Sequence, residues 1–224
     1  MKKIAALVLA TVSMACQGKP NTVAETAAKV KNNEITQNKG GQIMDNKKME
    51  TAIFAGGCFW CTEAFFTDLK GVEKVVSGYI GGKTENPTYK EVCEGYSGHA
   101  EAIQITFNPE EISYEDLLEI HFATHDPTTI NRQGADVGTQ YRSEIFYTTE
   151  EQKAKAENFI KLLTEQNIFP KKIVTKISAA TKFYRAEDYH QDYYANNPNQ
   201  PYCQAVIAPK LAKLKKNYES RLKS

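Results

Sequence analysis

TAIFAGGCFWCTEAFFTDLKGVEKVVSGYI, residues 51–80, is the stretch on which the fold turns. TAIFA (51–55) reads as a short buried strand, and Gly56 and Gly57 then turn the chain. From Cys58 to Leu69, the apolar side chains of Phe59, Ala64, Phe65, Phe66 and Leu69 suit a helix ending before Gly71. VEKVVSGYI (72–80) is a second strand. The unit is strand, helix, strand, and it sets Cys58 at a helix N-terminus directly after a strand. Such a terminus carries about half a positive charge and unpaired N–H groups. A thiol there is expected to be acidified, from about 8.5 when free to roughly 3.5–7.5. The competing reading is an inert buried cysteine, since free cysteine is among the most buried residue types. Cys58 and Cys61 together suggest dithiol redox chemistry or a metal clip. The Phe59–Trp60 pair between them suggests instead a pocket that grips a small apolar group beside a reactive sulfur.

Outward from this unit, the segment 81–99 is rich in turn residues, and AEAIQITFN (100–108) alternates as a third strand. Ser113 with Asp116 three residues on opens a helix in capping-box fashion, running to about His125. RSEIFYT (142–148) is a fourth strand, and Thr149 with Gln152 starts a helix to about Asn167. KKIVTKIS (171–178) reads as a fifth strand, AEDYHQDYYAN (186–196) as a helix, and APKLAKLKKNYESRL (208–222) as a C-terminal helix. Up to Thr148 the order is β-α-β-β-α-β. The fold class expected is α+β, a two-layer sandwich with a mixed sheet and a ferredoxin-like (split βαβ) core.

The chain of 224 residues is enough for one good-sized domain with appendages. A net charge of +1 gives no electrostatic footprint for nucleic acid. Lys2 and Lys3 precede an apolar stretch of about 12 residues, IAALVLATVSMA (4–15), too short to span a bilayer and suited to a signal peptide. Cys16 follows directly and resembles the lipidated cysteine of a bacterial lipoprotein, although Ser13 stands where such signals usually carry Leu. Ser13-Met14-Ala15 also suits ordinary signal cleavage. The expected organisation is a signal peptide (1–15), a polar flexible tether (16–50) and a catalytic domain (51–224). Export to the cell envelope is expected, with lipid anchoring at Cys16 preferred over simple cleavage. Five cysteines, Cys16, Cys58, Cys61, Cys93 and Cys203, are too few and scattered for a disulfide framework, so a redox role for a subset is more natural.

The string GCFWCTE (57–63) resembles the active-site motif of the peptide methionine sulfoxide reductase A family. The resemblance continues through NPTYKEVCEGYSGHAEAI (86–103), HDPTTINRQGADVGTQYRS (125–143), FYRAEDYHQDYY (183–194) and NPNQPYC (197–203). It covers the chain from Thr51 to about Lys210. The resemblance implies Cys58 as nucleophile, with Phe59 and Trp60 lining the pocket for the substrate methyl group. It implies Glu101 as the acid, Tyr89 and Tyr141 as ligands of the sulfoxide oxygen, and Asp136 and His190 in the surrounding polar shell. Cys203 stands at the family's resolving position. The substrate implied is methionine S-sulfoxide, free and in oxidised proteins. No metal or organic cofactor is implied, only a thioredoxin-like dithiol reductant, and a monomer is expected.

The chemistry also follows from the residues themselves. A sulfoxide is polarised with positive sulfur and negative oxygen, and the oxygen leaves only once protonated. Reduction therefore needs a thiolate for the sulfur and an acid for the oxygen in one dry pocket. A carboxyl donates at neutral pH only if burial lifts its pKa from about 4.3. Tyrosine hydroxyls can bind the oxygen as charge builds on it. The sulfenic acid left on Cys58 then condenses with a second thiol, and a dithiol donor reduces the disulfide. Its place at the family's resolving position, as the resemblance implies, favours Cys203 as first resolver. Cys61, one turn along the same helix face, is the candidate relay.

Other features have plainer readings. Cys93 is expected to be a small buried residue, Glu63 a structural carboxyl in a buried pair, and His99 a hydrogen-bonded structural histidine. GYIGGKT (78–84) has the wrong glycine spacing for a phosphate loop. His121 and His125 share a helix face without the glutamate of a metalloprotease motif, so core or capping roles are expected. Two rival functions remain, a disulfide oxidoreductase working through Cys58 and Cys61, and a structural metal-binding module.

Overall fold

The structure, a computed structural model, describes residues 48–223. The expected signal peptide, the expected tether up to residue 47 and Cys16 lie outside the described residues. The elements in chain order are β1 (Glu50–Gly56), α1 (Phe59–Phe66), β2 (Val72–Ile80), α2 (Tyr89–Cys93), β3 (Ala100–Phe107) and α3 (Tyr114–Thr124). There follow β4 (Arg132–Gln133), β5 (Asp136–Val137), β6 (Ser143–Tyr147), α4 (Glu150–Glu165), β7 (Lys176–Ala179), β8 (Tyr184–Arg185), α5 (Tyr193–Asn196) and α6 (Ala208–Asn217).

Six strands form one sheet in the order β7-β6-β1-β3-β2-β8. Its four central strands, β6-β1-β3-β2, run antiparallel and are the ferredoxin-like core. β1 and β2 enclose β3, the split βαβ arrangement read from the sequence. β7 joins β6 in parallel, which makes the sheet mixed. The strand period of two distributes the side chains. Ala52 and Phe54 of β1, with Ile103 and Ile105 of β3, join the large core beneath the helices. Ile53, Ala55, Ala100 and Ala102 face the other way, into a small cluster closed by Ala180 and Phe183. Glu101 falls on the helix side by the same alternation.

Local signals account for most element ends. Ser113 accepts from the Asp116 amide and Asp116 accepts in return from the Ser113 amide, the full capping box. Thr149 caps α4 by accepting from the Gln152 amide. Three readings are corrected. The fifth strand covers only Lys176–Ala179, because this edge segment pairs on one side alone, with β6. The helix expected over 186–196 breaks into a 3-10 turn, Asp188–His190, and the short α5. Asp192 between them is left-handed, at φ 50°, which no helix interior accommodates. The C-terminal helix stops at Asn217 and gives way to a 3-10 turn, Glu219–Arg221.

That final turn is tied down. Lys70 N–H donates to the Arg221 carbonyl at 2.9 Å and Lys223 N–H to the Asp68 carbonyl at 2.8 Å. Arg221 pairs with Asp116 at 3.0 Å and Glu119 at 3.2 Å on α3. The C-terminal arm, which carries Cys203, is thereby anchored beyond the far end of α1.

Candidate active site

The site begins at the turn between β1 and α1. Gly57 has φ +95°, a conformation favouring glycine, and a Cβ there would lie 2.8 Å from Gln133 Cγ. The turn delivers Cys58 as the N-cap of α1, its carbonyl accepting from the Cys61 amide at 3.1 Å. The Cys58 side chain makes no capping bond, so its sulfur is not committed to the helix end.

Glu101 reaches this terminus from β3. Its side chain is 1% exposed, and Oε2 accepts from the Phe59 N–H at 3.0 Å. Burial pushes the carboxyl up to about 8, against the pull of the Phe59 amide and with help from the charges of Asp136 and Cys61. At neutral pH it is therefore mostly protonated. One oxygen takes the amide bond while the carboxyl keeps a proton to give.

The aromatic wall is built from three segments. Trp60 Nε1 donates to His190 Nδ1 at 3.0 Å, and its ring stacks on Tyr193 with centroids 3.7 Å apart at 7°. Phe59 is buried against Tyr79 and His190, with centroids at 5.8 and 5.0 Å. Tyr89 lies over His190 at 4.4 Å. Burial depresses the His190 pKa, so its ring is neutral, accepting at Nδ1 and protonated at Nε2. Glu187 fixes the Tyr89 corner, accepting from the Tyr89 amide at 2.9 Å and the Tyr79 hydroxyl at 2.7 Å. Burial, then the charge of Glu101, raises the Tyr141 phenol. Tyr89 is raised by burial, by its bond to Cys93 and by Glu101. Both phenols stay protonated and available as donors.

The thiols differ from expectation. Cys58 is not acidified. Its hydrogen bond with Cys61 holds its proton, and burial and the charge of Glu101 add to this, outweighing the Trp60 amide that favours the anion. Cys61 is lowered, first by that same bond with Cys58 and then, against its own burial, by Lys210 and Tyr202. The two thiols therefore titrate together, and their proton losses belong to the pair. Cys61 Sγ lies 3.8 Å from the Tyr202 hydroxyl, which donates to Asp136 Oδ2 at 2.9 Å. Cys203 is 0% exposed, and burial and then the charge of Cys61 push its thiol up. It begins a π-helical turn, Cys203–Ile207, that leads into α6. The thiol that most affects Cys58 is Cys61, one turn along α1.

The sequence of residues 50–222 matches the family model described as peptide methionine sulfoxide reductase. The chain belongs to the peptide methionine sulfoxide reductase family. It is 56% identical over 193 residues to the peptide methionine sulfoxide reductase MsrA of Deinococcus radiodurans, covering 86% of this chain and 94% of that one. It is 54% identical over 176 residues to the MsrA of Chromobacterium violaceum, covering 79% of this chain and all of that one. Among solved structures, reduced Mxr1 from Saccharomyces cerevisiae superposes with a TM-score of 0.63 at 36% identity, covering 72% of this chain and 92% of that one. Methionine sulfoxide reductase A of Corynebacterium diphtheriae gives 0.61 at 31% identity, covering 71% of this chain and 80% of that one.

Within this member of the reductase family, several of the residues expected at the site are in contact. Phe59 and Glu101 are hydrogen-bonded, Trp60 and His190 likewise, and Tyr89 packs on His190. Asp136 receives Tyr202, whose hydroxyl meets Cys61. His99 is structural as expected, accepting from the Gly82 amide at 3.0 Å and donating to the Thr84 carbonyl at 2.8 Å. His121 stacks on Phe54 in the core, and His125 ends α3, donating from Nδ1 to the His121 carbonyl at 2.6 Å.

Two readings fail. Cys93 is exposed, not buried, because α2 is a single short turn on the rim whose core contact is Val92. Glu63 is buried, but no ion pair forms to it among the described residues. Its Oε2 accepts from the Tyr193 amide at 3.3 Å, and burial lifts it to about 7, so it needs no cation. Sequence reasoning missed Tyr202, Tyr193, Glu187 and Gln133. Tyr202 was within reach, adjoining Cys203 in NPNQPYC. The other three are placed only by chain crossings that spacing does not reveal.

Proposed function

We propose that the protein reduces methionine S-sulfoxide, free and within oxidised polypeptides, through a sulfenic acid on Cys58 and an intramolecular disulfide. The observation that carries this reading is the protonated, buried Glu101 held against the first amide of the helix that Cys58 caps. Cys58 attacks the sulfoxide sulfur, its proton passing to Cys61. Glu101 protonates the oxygen, which Tyr89 and Tyr141 steady by donating to it. The oxygen ends on Cys58 as the sulfenic acid, and the thioether leaves. Phe59 and Trp60 hold the methyl group; a sulfur group at an aromatic edge contributes ~0.3–1.5 kcal/mol.

The resolving order proposed here puts Cys61 first, whereas the family resemblance favoured Cys203. Cys61, one turn along α1 from Cys58, condenses with the sulfenic acid and water leaves. Cys203 then exchanges with Cys61, and a thioredoxin-like dithiol of the envelope reduces the resulting disulfide. Export and lipidation at Cys16 complete the reading, supported by Lys2, Lys3 and the apolar run 4–15. The working form is a monomer, and the mass of the mature N-terminal peptide tests the anchor.

The decisive experiment supplies dithiothreitol and separated R and S epimers of N-acetylmethionine sulfoxide to wild type and Cys58→Ser. Consumption of the S epimer alone, abolished in the variant, is expected. Turnover of neither epimer would overturn the reading and leave disulfide exchange through the Cys58–Cys61 pair. For the order of thiols, one equivalent of sulfoxide without reductant should give Cys203→Ser a disulfide between Cys58 and Cys61. A persistent sulfenic acid in that variant would restore Cys203 as first resolver.

A further inference from the structure

Glu63 closes the string GCFWCTE, and the reduction chemistry leaves it without a task. It stands on α1 three residues after Trp60, one turn along the same helix face. Its side chain is 2% exposed, and its Oε2 accepts from the Tyr193 N–H at 3.3 Å. Burial lifts the carboxyl to about 7, while the Asp192 amide, the Ser77 hydroxyl and the Tyr193 amide favour its anion. Burying such a group costs stability unless its hydrogen bonds compensate. A cation is not what it holds. Lys215 lines the same small cavity, about 180 Å³ between α1, α5 and α6, but its ammonium pairs with Asp68 at 2.7 Å.

What Glu63 does hold is the start of α5. That helix is four residues long, too short to be stable alone. Its N-cap, Asp192, is exposed, left-handed at φ 50°, and makes no capping bond with its own side chain. A non-glycine residue in that conformation persists only where its surroundings hold it. Glu63 supplies from α1 the acceptor that Asp192 does not supply itself. The consequence lies one residue on, where the Tyr193 ring stacks on Trp60 with centroids 3.7 Å apart at 7°. One face of α1 thus grips Tyr193 twice, by its amide at Glu63 and by its ring at Trp60. Trp60 is half-buried and donates from Nε1 to His190 Nδ1 at 3.0 Å. The indole is therefore fixed by Tyr193 on its face and by His190 at its nitrogen.

We propose that Glu63 is a positioning residue for the methyl pocket: from α1 it holds the left-handed start of α5, and so keeps Tyr193 stacked on Trp60. The role rests on the reductase reading, in which Trp60 lines that pocket, and it names the group that fixes the wall. Glu63 acts through Tyr193 and Trp60, not on the sulfoxide. The methyl group is gripped before the oxygen moves and while it moves, so KM carries the effect and kcat does not.

Trp60 is the single tryptophan of the chain, so intrinsic emission reports on the stack directly. The test uses the full chain, dithiothreitol and the S epimer of N-acetylmethionine sulfoxide. Glu63→Gln keeps an acceptor for the Tyr193 amide and should hold KM and emission near wild type. Glu63→Ala should raise KM about three- to tenfold, the worth of one aromatic pair, with kcat nearly unchanged. Its Trp60 emission should move to the red and be quenched more readily by acrylamide. Glu63→Met fills the same volume without an acceptor, should behave alike, and stands in if Glu63→Ala does not fold. Tyr193→Ala should show the same two changes, and combining it with Glu63→Ala should add little. Ser113→Ala, which weakens only the cap of α3, controls for lost stability and should alter neither KM nor emission. Unchanged KM and emission in Glu63→Ala and Glu63→Met would overturn the role. So would a fall in kcat at constant KM, or a Glu63→Gln as impaired as Glu63→Ala, since Glu63 would then act by its proton. A wild type inactive on both epimers would remove the reductase reading, and emission alone would still decide whether Glu63 holds the stack.

Discussion

Glu101 is a carboxyl the fold keeps protonated at a cost to its own stability. Its pKa in the folded protein is about 8, against an ordinary value of 4.5. The folded state therefore binds more protons than the unfolded chain between those values. The stability linked to Glu101 is fully present below about pH 4.5 and is lost as pH rises through 8. The proposed mechanism uses the same proton, so kcat/KM should fall above about pH 8 in the wild type. Glu101→Gln should lose roughly 10²–10³-fold in kcat, lack that alkaline limb, and gain stability at pH 9 relative to wild type. pH–rate profiles and urea unfolding read the two effects separately. Cys93 offers a second test at this scale. It is the exposed thiol of the described four, and timed alkylation with peptide mass mapping should find it modified first and Cys203 last.

At the scale of elements, the N-terminus of α1 and the face of β3 make the chemistry by meeting. The strand period turns Glu101 toward the helices while Ala100 and Ala102 turn away, so a shift of one residue in β3 would remove the acid. The turn before α1 is equally constrained. Gly57→Ala should cost about 1–3 kcal/mol, because φ is positive and Gln133 occupies the space a Cβ needs. It should lower kcat as well, since the turn aims Cys58. Ser113→Ala is the contrasting case. Losing that cap from α3 should cost about 1 kcal/mol and leave kcat unchanged. Thermal unfolding with steady-state rates on both variants separates a turn that positions a nucleophile from a cap that only holds a helix. The capping box was legible because its two partners are three residues apart. The break at Asp192 was not, because a left-handed residue there is chosen by the packing of Tyr193 on Trp60 and of its amide on Glu63.

For the whole molecule, the C-terminal arm ties Cys203, a thiol of the proposed relay, to the rest of the fold. Cys203 is buried between two attachments, the Tyr202–Asp136 hydrogen bond before it and the Arg221 clasp on α3 after it. In the proposed relay, a protein reductant reaches the buried Cys203 only when this arm opens. Arg221→Ala leaves Glu119 buried without its cation, and should cost about 1–3 kcal/mol and speed alkylation of Cys203. Unchanged Cys203 protection would mean the clasp does not govern the arm. The sequence by itself determined the βαββαβ order, the strand-to-helix turn at Cys58 and the residue types the chemistry demands. Each of these rests on local periodicity, glycine placement or a short motif. Tertiary structure alone decided that burial lifts the Glu101 carboxyl, that Cys203 is buried, and that Cys93 faces solvent. Proton affinity and exposure depend on which distant segments pack against a residue, and spacing along the chain does not carry that information.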